Sequence, residues 1–327
     1  MKLKTITIDL AKNVFQVCGV NEHIKPQFNQ KLKRSELLDF MRQQTPTVVV
    51  MEACYSSHYW GREIAKLGHD TKLIPAQHVT PFVRGNKNDH NDAFAIAEAS
   101  QRANIRFVPV KSEHQQEISC LHRIRERLVK SKTAMSNQAR GLLSEFGVVF
   151  PCGHKALLSG LTSVIDNPQY SHRLQDMVID MLSEYDTTIE RLKSIKKQLN
   201  EFVDESESGK ILRSIPGIGV INASALLAAI DKGQAFNNPK EFAVWLGLTP
   251  KQHASGNISK MGGITKRGDR YLRKQLIHGA RAFVSRAAKS TDPLALWATK
   301  LRLTKPFNKV AVAVAHRLAR LIWILLT

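Results

Sequence analysis

Lys4-Thr5-Ile6-Thr7-Ile8-Asp9 alternates polar and apolar side chains and closes on an acid, the pattern of a half-buried β-strand that ends in a carboxylate. Outward from it, residues 14–20 read as a second strand and residues 23–28 as a third. Short polar turns join them, so the chain opens as an antiparallel meander. Residues 36–41, preceded by Ser35, predict a short helix. After Pro46 the run Thr47-Val48-Val49-Val50-Met51 is apolar without alternation, as in a strand buried on both faces, and it stops at Glu52. Residues 59–67 predict a helix halted by Gly68, Lys72-Leu73-Ile74 a strand halted by Pro75, and residues 92–103 another helix.

Three meander strands followed by two more, separated by helices, predict an α/β sheet of the ribonuclease-H-like (RuvC-like) kind for residues 1–112. Residues 113–146 predict one long helix, with Leu121, Leu128, Met135 and Leu142 at seven-residue spacing. In the next long helix Leu174, Val178, Met181, Tyr185, Thr188, Leu192, Ile195, Leu199 and Phe202 alternate steps of four and three, the seam of a coiled coil. Its partner is either the first long helix or a second protomer. Residues 113–207 are therefore expected to be a helical coiled-coil connector. The acidic, small-residue segment 204–209 reads as a linker into a mainly α unit, residues 208–327.

Lys and Arg outnumber Asp and Glu by 48 to 28, a formal +20, which favours a polyanionic partner. The excess is uneven: residues 208–327 hold 20 basic and 4 acidic side chains, a net +16, so most phosphate contact is expected there. No apolar run reaches the roughly 18 residues of a membrane span, and Leu321 to Leu326 reads instead as a helix end packed into a core. The first residues lack the apolar segment of a signal peptide, so a cytoplasmic, nucleoid-associated protein is expected and no membrane partner. Cys18, Cys54, Cys120 and Cys152 form no CxxC pair and read as buried, unreactive thiols.

Asp9 and Glu52 stand at strand ends, and Asp89 and Asp92, three residues apart, share one face at a helix start. In a ribonuclease-H-like sheet the first and fourth strands are neighbours and the last helix crosses them, which gathers all four acids at one edge. Clustered carboxylates repel, and hard divalent cations such as Mg²⁺ remove that cost and clamp a phosphodiester. Four unrelated surface acids are the plain alternative. Against it, each strand acid follows an apolar segment in which an unpaired charge is costly.

Ser214-Ile215-Pro216-Gly217-Ile218-Gly219 precedes the helical run 220–230 and suits a helix-hairpin-helix, whose backbone N–H groups hold a DNA phosphate without reading bases. An ordinary turn between helices fits the same pattern. Farther on, Phe242 to Pro250 is an apolar segment, and residues 251–257 read as a polar loop with Ser255 followed by Gly256. Lys260, Lys266, Arg267, Arg270, Arg273 and Lys274 follow as candidate phosphate contacts. By itself a loop serine is usually only solvated.

Together these residues resemble the DEDD-type insertion-sequence transposases, the "one-ten" family and its "eleven-eleven" branch, to which the Piv-type DNA invertases are related. The marks are Thr7-Ile8-Asp9-Leu10-Ala11-Lys12, Met51-Glu52-Ala53, Lys87-Asn88-Asp89-His90-Asn91-Asp92-Ala93, the glycine hairpin at Pro216, Gly217 and Gly219, Gly247-Leu248-Thr249-Pro250 and Ser255-Gly256. The resemblance spans nearly the whole chain. It implies a RuvC-like domain, a coiled-coil connector and a C-terminal transposase domain that assemble as homodimers and homotetramers. It further implies that Asp9, Glu52, Asp89 and Asp92 form a catalytic tetrad for Mg²⁺ or Mn²⁺, and that Ser255 is the nucleophile. A noncoding guide RNA would pair with donor and target DNA. The chain departs from some relatives at Cys54 and Tyr55 and in the segment 151–170. Two rivals remain at this level: a RuvC-like nuclease or junction resolvase using the carboxylates with water, and a non-catalytic nucleic-acid scaffold.

Overall fold

The first strand, β1 (Thr5–Leu10), buries Ile6 and Ile8 on one face and Thr5 and Thr7 on the other, as the centre of a sheet must. The sheet is completed by β2 (Val14–Val20), β3 (Pro26–Lys33), β4 (Val48–Glu52) and β5 (Asp70–Ile74) in the order β3-β2-β1-β4-β5. The β1–β2 and β2–β3 pairs are antiparallel; β1–β4 and β4–β5 are parallel. The computed structural model describes residues 3–83, 88–103, 105–255 and 258–327, which divide into the units Met1–Gln116 and Glu117–Thr327.

Side chains on alternate positions of the sheet bind two separate helix layers. Ile6, Ile8, Phe15, Val17, Val49 and Met51 form a core with Leu37 and Met41 of α1 (Leu37–Arg42) and Trp60 and Ile64 of α2 (Ser57–Lys66). On the opposite face Cys18, Val20, Val50 and Ile74 meet Val79 of α3 (Ala76–Val79) and the alanine-rich side of α4 (Asp89–Ser100). The third strand begins three residues later than the sequence pattern suggests. Asn21 Oδ1 accepts the N–H groups of His23 and Lys25, each at 3.0 Å, and Ile24 takes φ +59°, so residues 21–25 are a side-chain-closed turn. Helix α4 begins earlier than expected, at Asp89, because Asn88 caps it by accepting from the Asn91 N–H at 2.8 Å.

In the second unit, α5 (Glu113–Ser144), α6 (His154–Ile165) and α7 (His172–Glu205) share a core around Ala139, Leu143, Leu157, Leu161, Leu174, Val178 and Tyr185. The seam of α7 is buried at Leu174, Val178, Tyr185, Thr188, Ile195 and Leu199, and its partners are helices of the same chain. The even seven-residue spacing read in α5 does not hold as a seam, because Leu142 is exposed and Leu143 is buried in its place. A straight helix turns about 20° per heptad away from a fixed seven-residue stripe, so by the third repeat the buried line has shifted.

Segment 204–209 is a tight corner. Helix α7 runs to Glu205, α8 (Glu207–Ser214) starts two residues later, and Ser206 caps it by accepting from Gly209 N at 3.2 Å. The expected boundary at 207/208 thus falls inside the second unit. The remaining elements are α9 (Val220–Ile230), α10 (Pro239–Trp245), the hairpin of β6 (Pro250–Ser255) and β7 (Ile258–Ile264), α11 (Arg270–Arg286), α12 (Pro293–Arg302) and α13 (Phe307–Leu326). Helix α13 lies at the centre of this core, burying Val310, Val314, Leu318 and Ile322; in its last turns Ile324 and Leu325 are exposed. All four cysteines are free, but Cys120 and Cys152 are exposed, against the expectation of burial, because they fall on solvent-facing positions. Among the described residues no helix is long and apolar enough to cross a membrane.

One buried polar knot ties α5 to the C-terminal helices. Ser224 Oγ donates to Val220 O at 2.6 Å, so His122 Nε2–H donates to Ser224 Oγ (3.0 Å) and Nδ1 accepts from the Tyr271 hydroxyl (2.9 Å). Burial, reinforced by the charge of Arg125, pushes the His122 pKa down to about 4 from an ordinary 6.5. The unfolded chain therefore takes up a proton at higher pH than the folded one. Stability should be full above about pH 6.5 and fall toward pH 4, by on the order of 3 kcal/mol from this residue. Denaturant midpoints at pH 7 and pH 4.5 should differ less in His122→Gln than in the native chain; an equal difference would dissociate His122 from the acid sensitivity.

Candidate active site

The parallel β1–β4 register pairs Ile8 with Met51, and its next step sets Asp9 beside Glu52 on the face covered by α4. Both are half-buried. Their proximity is felt by Cys54, whose thiol is pushed up to about 11 by burial and then by the charges of Glu52 and Asp9. That thiol stays protonated at neutral pH, so the oxygens are the donors at this edge.

Across the sheet the same row continues from Asp9 to Gln16 on β2 and Lys31 on β3. The first turn of α4 is fastened above that row. Gln16 Nε2 donates to Asn29 Oδ1 at 2.6 Å, Asn29 Nδ2 donates to His90 O at 3.1 Å, and Thr7 Oγ1 donates to Ala93 O at 2.7 Å. Asp89 and Asp92 are thereby carried on the first turn of a helix docked over the strands that hold Asp9 and Glu52. Asp89, largely exposed, pairs with Lys31 Nζ at 3.3 Å. Among the described residues no three His, Cys, Asp or Glu side chains stand close enough to hold a metal ion.

The donor set nevertheless fits a hard cation. It offers carboxylate oxygens alone, and Gln16, 5% exposed and next to Asp9 in register, has an Oε1 with no hydrogen-bond partner. Release of Asp89 from Lys31 costs little, since exposed ion pairs contribute about 0–1 kcal/mol. Gln16 was missed in the sequence. Its signal is an amide facing inward in β2, on the face where Cys18 and Val20 are buried. Lys87 lies outside the described residues.

Ser255 belongs to the second unit and is the last residue of β6, paired with Ile258. Residues 251–255 of the expected polar loop are thus a β-hairpin strand; Gly256 and Asn257 lie outside the described residues. Every residue of β6 is exposed, as are those of β7 up to Gly263, so the hairpin has no core of its own. Two-stranded ribbons of this kind are marginal alone, and this one is secured at its feet. Gly247 (φ +69°) and Gly268 (φ +84°) let the entering and leaving strands touch: a Cβ on Gly247 would lie 2.0 Å from Arg267 O, and one on Gly268 1.7 Å from Trp245 O.

Arg273 completes this foot. It was expected to contact DNA, but it is 8% exposed, and its Nη1 donates to Leu246 O at 3.0 Å and Arg267 O at 3.1 Å, one carbonyl from each side of the hairpin. Its place on the buried side of α11 removes it from any substrate. Lys274 is likewise engaged, with Glu126 at 2.6 Å. Lys260, Lys266, Arg267 and Arg270 are exposed around the hairpin. Between α8 and α9, Pro216 and Gly219 are exposed while Ile215 and Ile218 are buried, so the turn presents backbone to solvent at the start of α9.

Two family models match this chain. A DEDD transposase model of the IS110 type covers residues 6–148, and one described as the transposase IS116/IS110/IS902 family covers residues 209–294. The chain belongs to the IS110 family of insertion-sequence transposases. It is 42% identical over 330 residues to a probable family 20 transposase of Pseudomonas aeruginosa, covering 100% of this chain and 98% of that protein. It is 37% identical to the transposase for insertion sequence element IS1111A of Coxiella burnetii (99% and 90% covered). A pilin gene-inverting protein of Moraxella bovis is 24% identical over 83% of this chain and 80% of its own. The protein is thus a DNA transposase.

In this transposase Arg273 and Arg267 should separate cleanly on mutation. Arg273→Gln leaves two buried carbonyls without donors and should lower unfolding free energy by about 2–3 kcal/mol while leaving the salt dependence of DNA binding in place. Arg267→Gln should do the reverse, changing stability by less than about 0.5 kcal/mol and weakening DNA binding. Denaturation paired with DNA titration distinguishes them, and matching outcomes for the two would refute the division.

Proposed function

We propose that this transposase exchanges DNA strands through a phosphoserine formed at Ser255, with a divalent cation held by Asp9, Glu52, Asp89 and Asp92 of a RuvC-like unit. The observation that supports the reading is the parallel β1–β4 pairing, whose strand ends carry Asp9 and Glu52 on the face packed against α4, the helix that begins with Asp89 and Asp92. A meander continued by two parallel strands, with the acids at the strand ends, supports the RuvC-like assignment.

The chemistry balances on this chain's own groups. Ser255 Oγ forms a bond to phosphorus, its proton passes to water, and the strand oxygen that leaves takes up a proton. Attack by the freed hydroxyl of another strand then expels Ser255 Oγ, which regains its proton as the exchanged phosphodiester forms. Bound Mg²⁺ or Mn²⁺ would polarise the phosphoryl oxygens and offset their negative charge. Lys260, Lys266, Arg267 and Arg270, exposed around the hairpin, suit the phosphates on either side of the scissile bond. The turn at Pro216, Gly217 and Gly219 offers backbone N–H groups to a further phosphate.

Contacts of these types position a duplex without reading it. A noncoding guide RNA pairing with donor and target would supply the sequence recognition that such contacts lack. Strand exchange needs two duplexes held together, which favours a homodimer or homotetramer.

Ser255→Ala should abolish both recombination and the covalent protein–DNA adduct while DNA binding persists. Asp9→Asn should abolish recombination with binding likewise kept. Strand cleavage that survives in Ser255→Ala but not in Asp9→Asn would instead identify a nuclease using water, and recombination by both variants would remove this mechanism altogether.

A further inference from the structure

The corner where α11, α12 and α13 meet gathers cations without counter-charges. Arg281 of α11 and Arg302 of α12 both lie over the ring of Phe307, the first residue of α13, with guanidinium carbons 5.4 and 5.2 Å from its centroid. Arg281 Nη1 also donates to Asn308 Oδ1 at 2.6 Å. Lys305 and Lys309, both exposed, flank the ring in sequence. Among the described residues no carboxylate pairs with any of these four cations, and from Pro293 to Thr327 the chain contains six Lys or Arg and no Asp or Glu.

Two guanidiniums on one ring repel each other, and holding them there is useful when an anion lies above them. Phe307 is occupied by these groups and so is unavailable as a stacking platform for an unpaired base, which points to a polyanion recognised by its backbone. The corner is also aligned with the hairpin. Arg281 is 11 residues beyond Arg270 on α11, a spacing that returns to nearly the same helix face roughly 16 Å away, the length of about five base pairs.

We propose that the Phe307 corner is a second phosphate-backbone site, which grips the flank of the same DNA duplex whose nearer phosphates meet the hairpin cations. The proposal rests on DNA being the substrate and is independent of the serine chemistry, so its test uses the Ser255→Ala background.

Binding of a labelled 30-base-pair DNA duplex of arbitrary sequence would be followed by fluorescence anisotropy from 50 to 200 mM salt. The Arg281→Gln, Arg302→Gln double variant should lower the slope of log affinity against log salt by about 2 and weaken binding about tenfold at 100 mM. The corresponding double Lys variant should keep most of the slope. If the Gln variant unfolds early, Lys305→Gln and Lys309→Gln, which touch no ring, carry the test, each lowering the slope by about 1. Unchanged slopes in these variants would overturn the proposal. So would a fall seen with a duplex RNA of the same length and not with DNA, which would make the corner an RNA site.

Discussion

The parallel pairing of β1 with β4 is the constraint from which the candidate active site follows. A parallel register cannot slip by one residue without turning Ile6, Ile8, Val49 and Met51 out of the core they fill with α1 and α2. Hydrophobic burial on one face of the sheet therefore fixes, on the other, where Asp9 and Glu52 stand. Helix α4 is fastened over the same face by Thr7 and Asn29, which carries Asp89 and Asp92 on its first turn above the sheet.

The second unit solves a different problem, an exposed ribbon on a rigid base. Its two strands are exposed almost throughout, whereas their base is defined by two close backbone crossings and a buried guanidinium. A ribbon so exposed can change its shape without disturbing the core around α13. At the start of the same unit His122 does the opposite work, locking the basic helix α5 to α9 and α11 through hydrogen bonds that leave its ring neutral.

Much of the first unit was legible because its strands announce themselves by period. The alternation of residues 4–9 and the unbroken apolar run 47–51 give the sheet's central pair, and both acids then follow from position. The third strand was misplaced because a turn closed by Asn21 cannot be told from strand residues by hydropathy. The serine segment was read as a loop because Lys251-Gln252-His253-Ala254-Ser255 has no apolar face, and a ribbon solvated on both sides gives no alternation to detect. Gln16 and His122 escaped notice since a buried polar residue is recognised only once its neighbours are known to be buried.

Charge shows the same limit most sharply. Arg267, Arg270 and Arg273 sit within seven residues, and composition treats them alike. Helix α11 separates them: Arg270 faces solvent at its first turn, whereas Arg273, about 300° around the axis, points inward to two carbonyls. The 20 basic side chains of residues 208–327 thus overstate what a phosphate backbone can meet there, because a guanidinium buried on carbonyls and a lysine paired with Glu126 are already engaged. The effective field belongs to the exposed set, Lys260, Lys266, Arg267 and Arg270 around the hairpin among them.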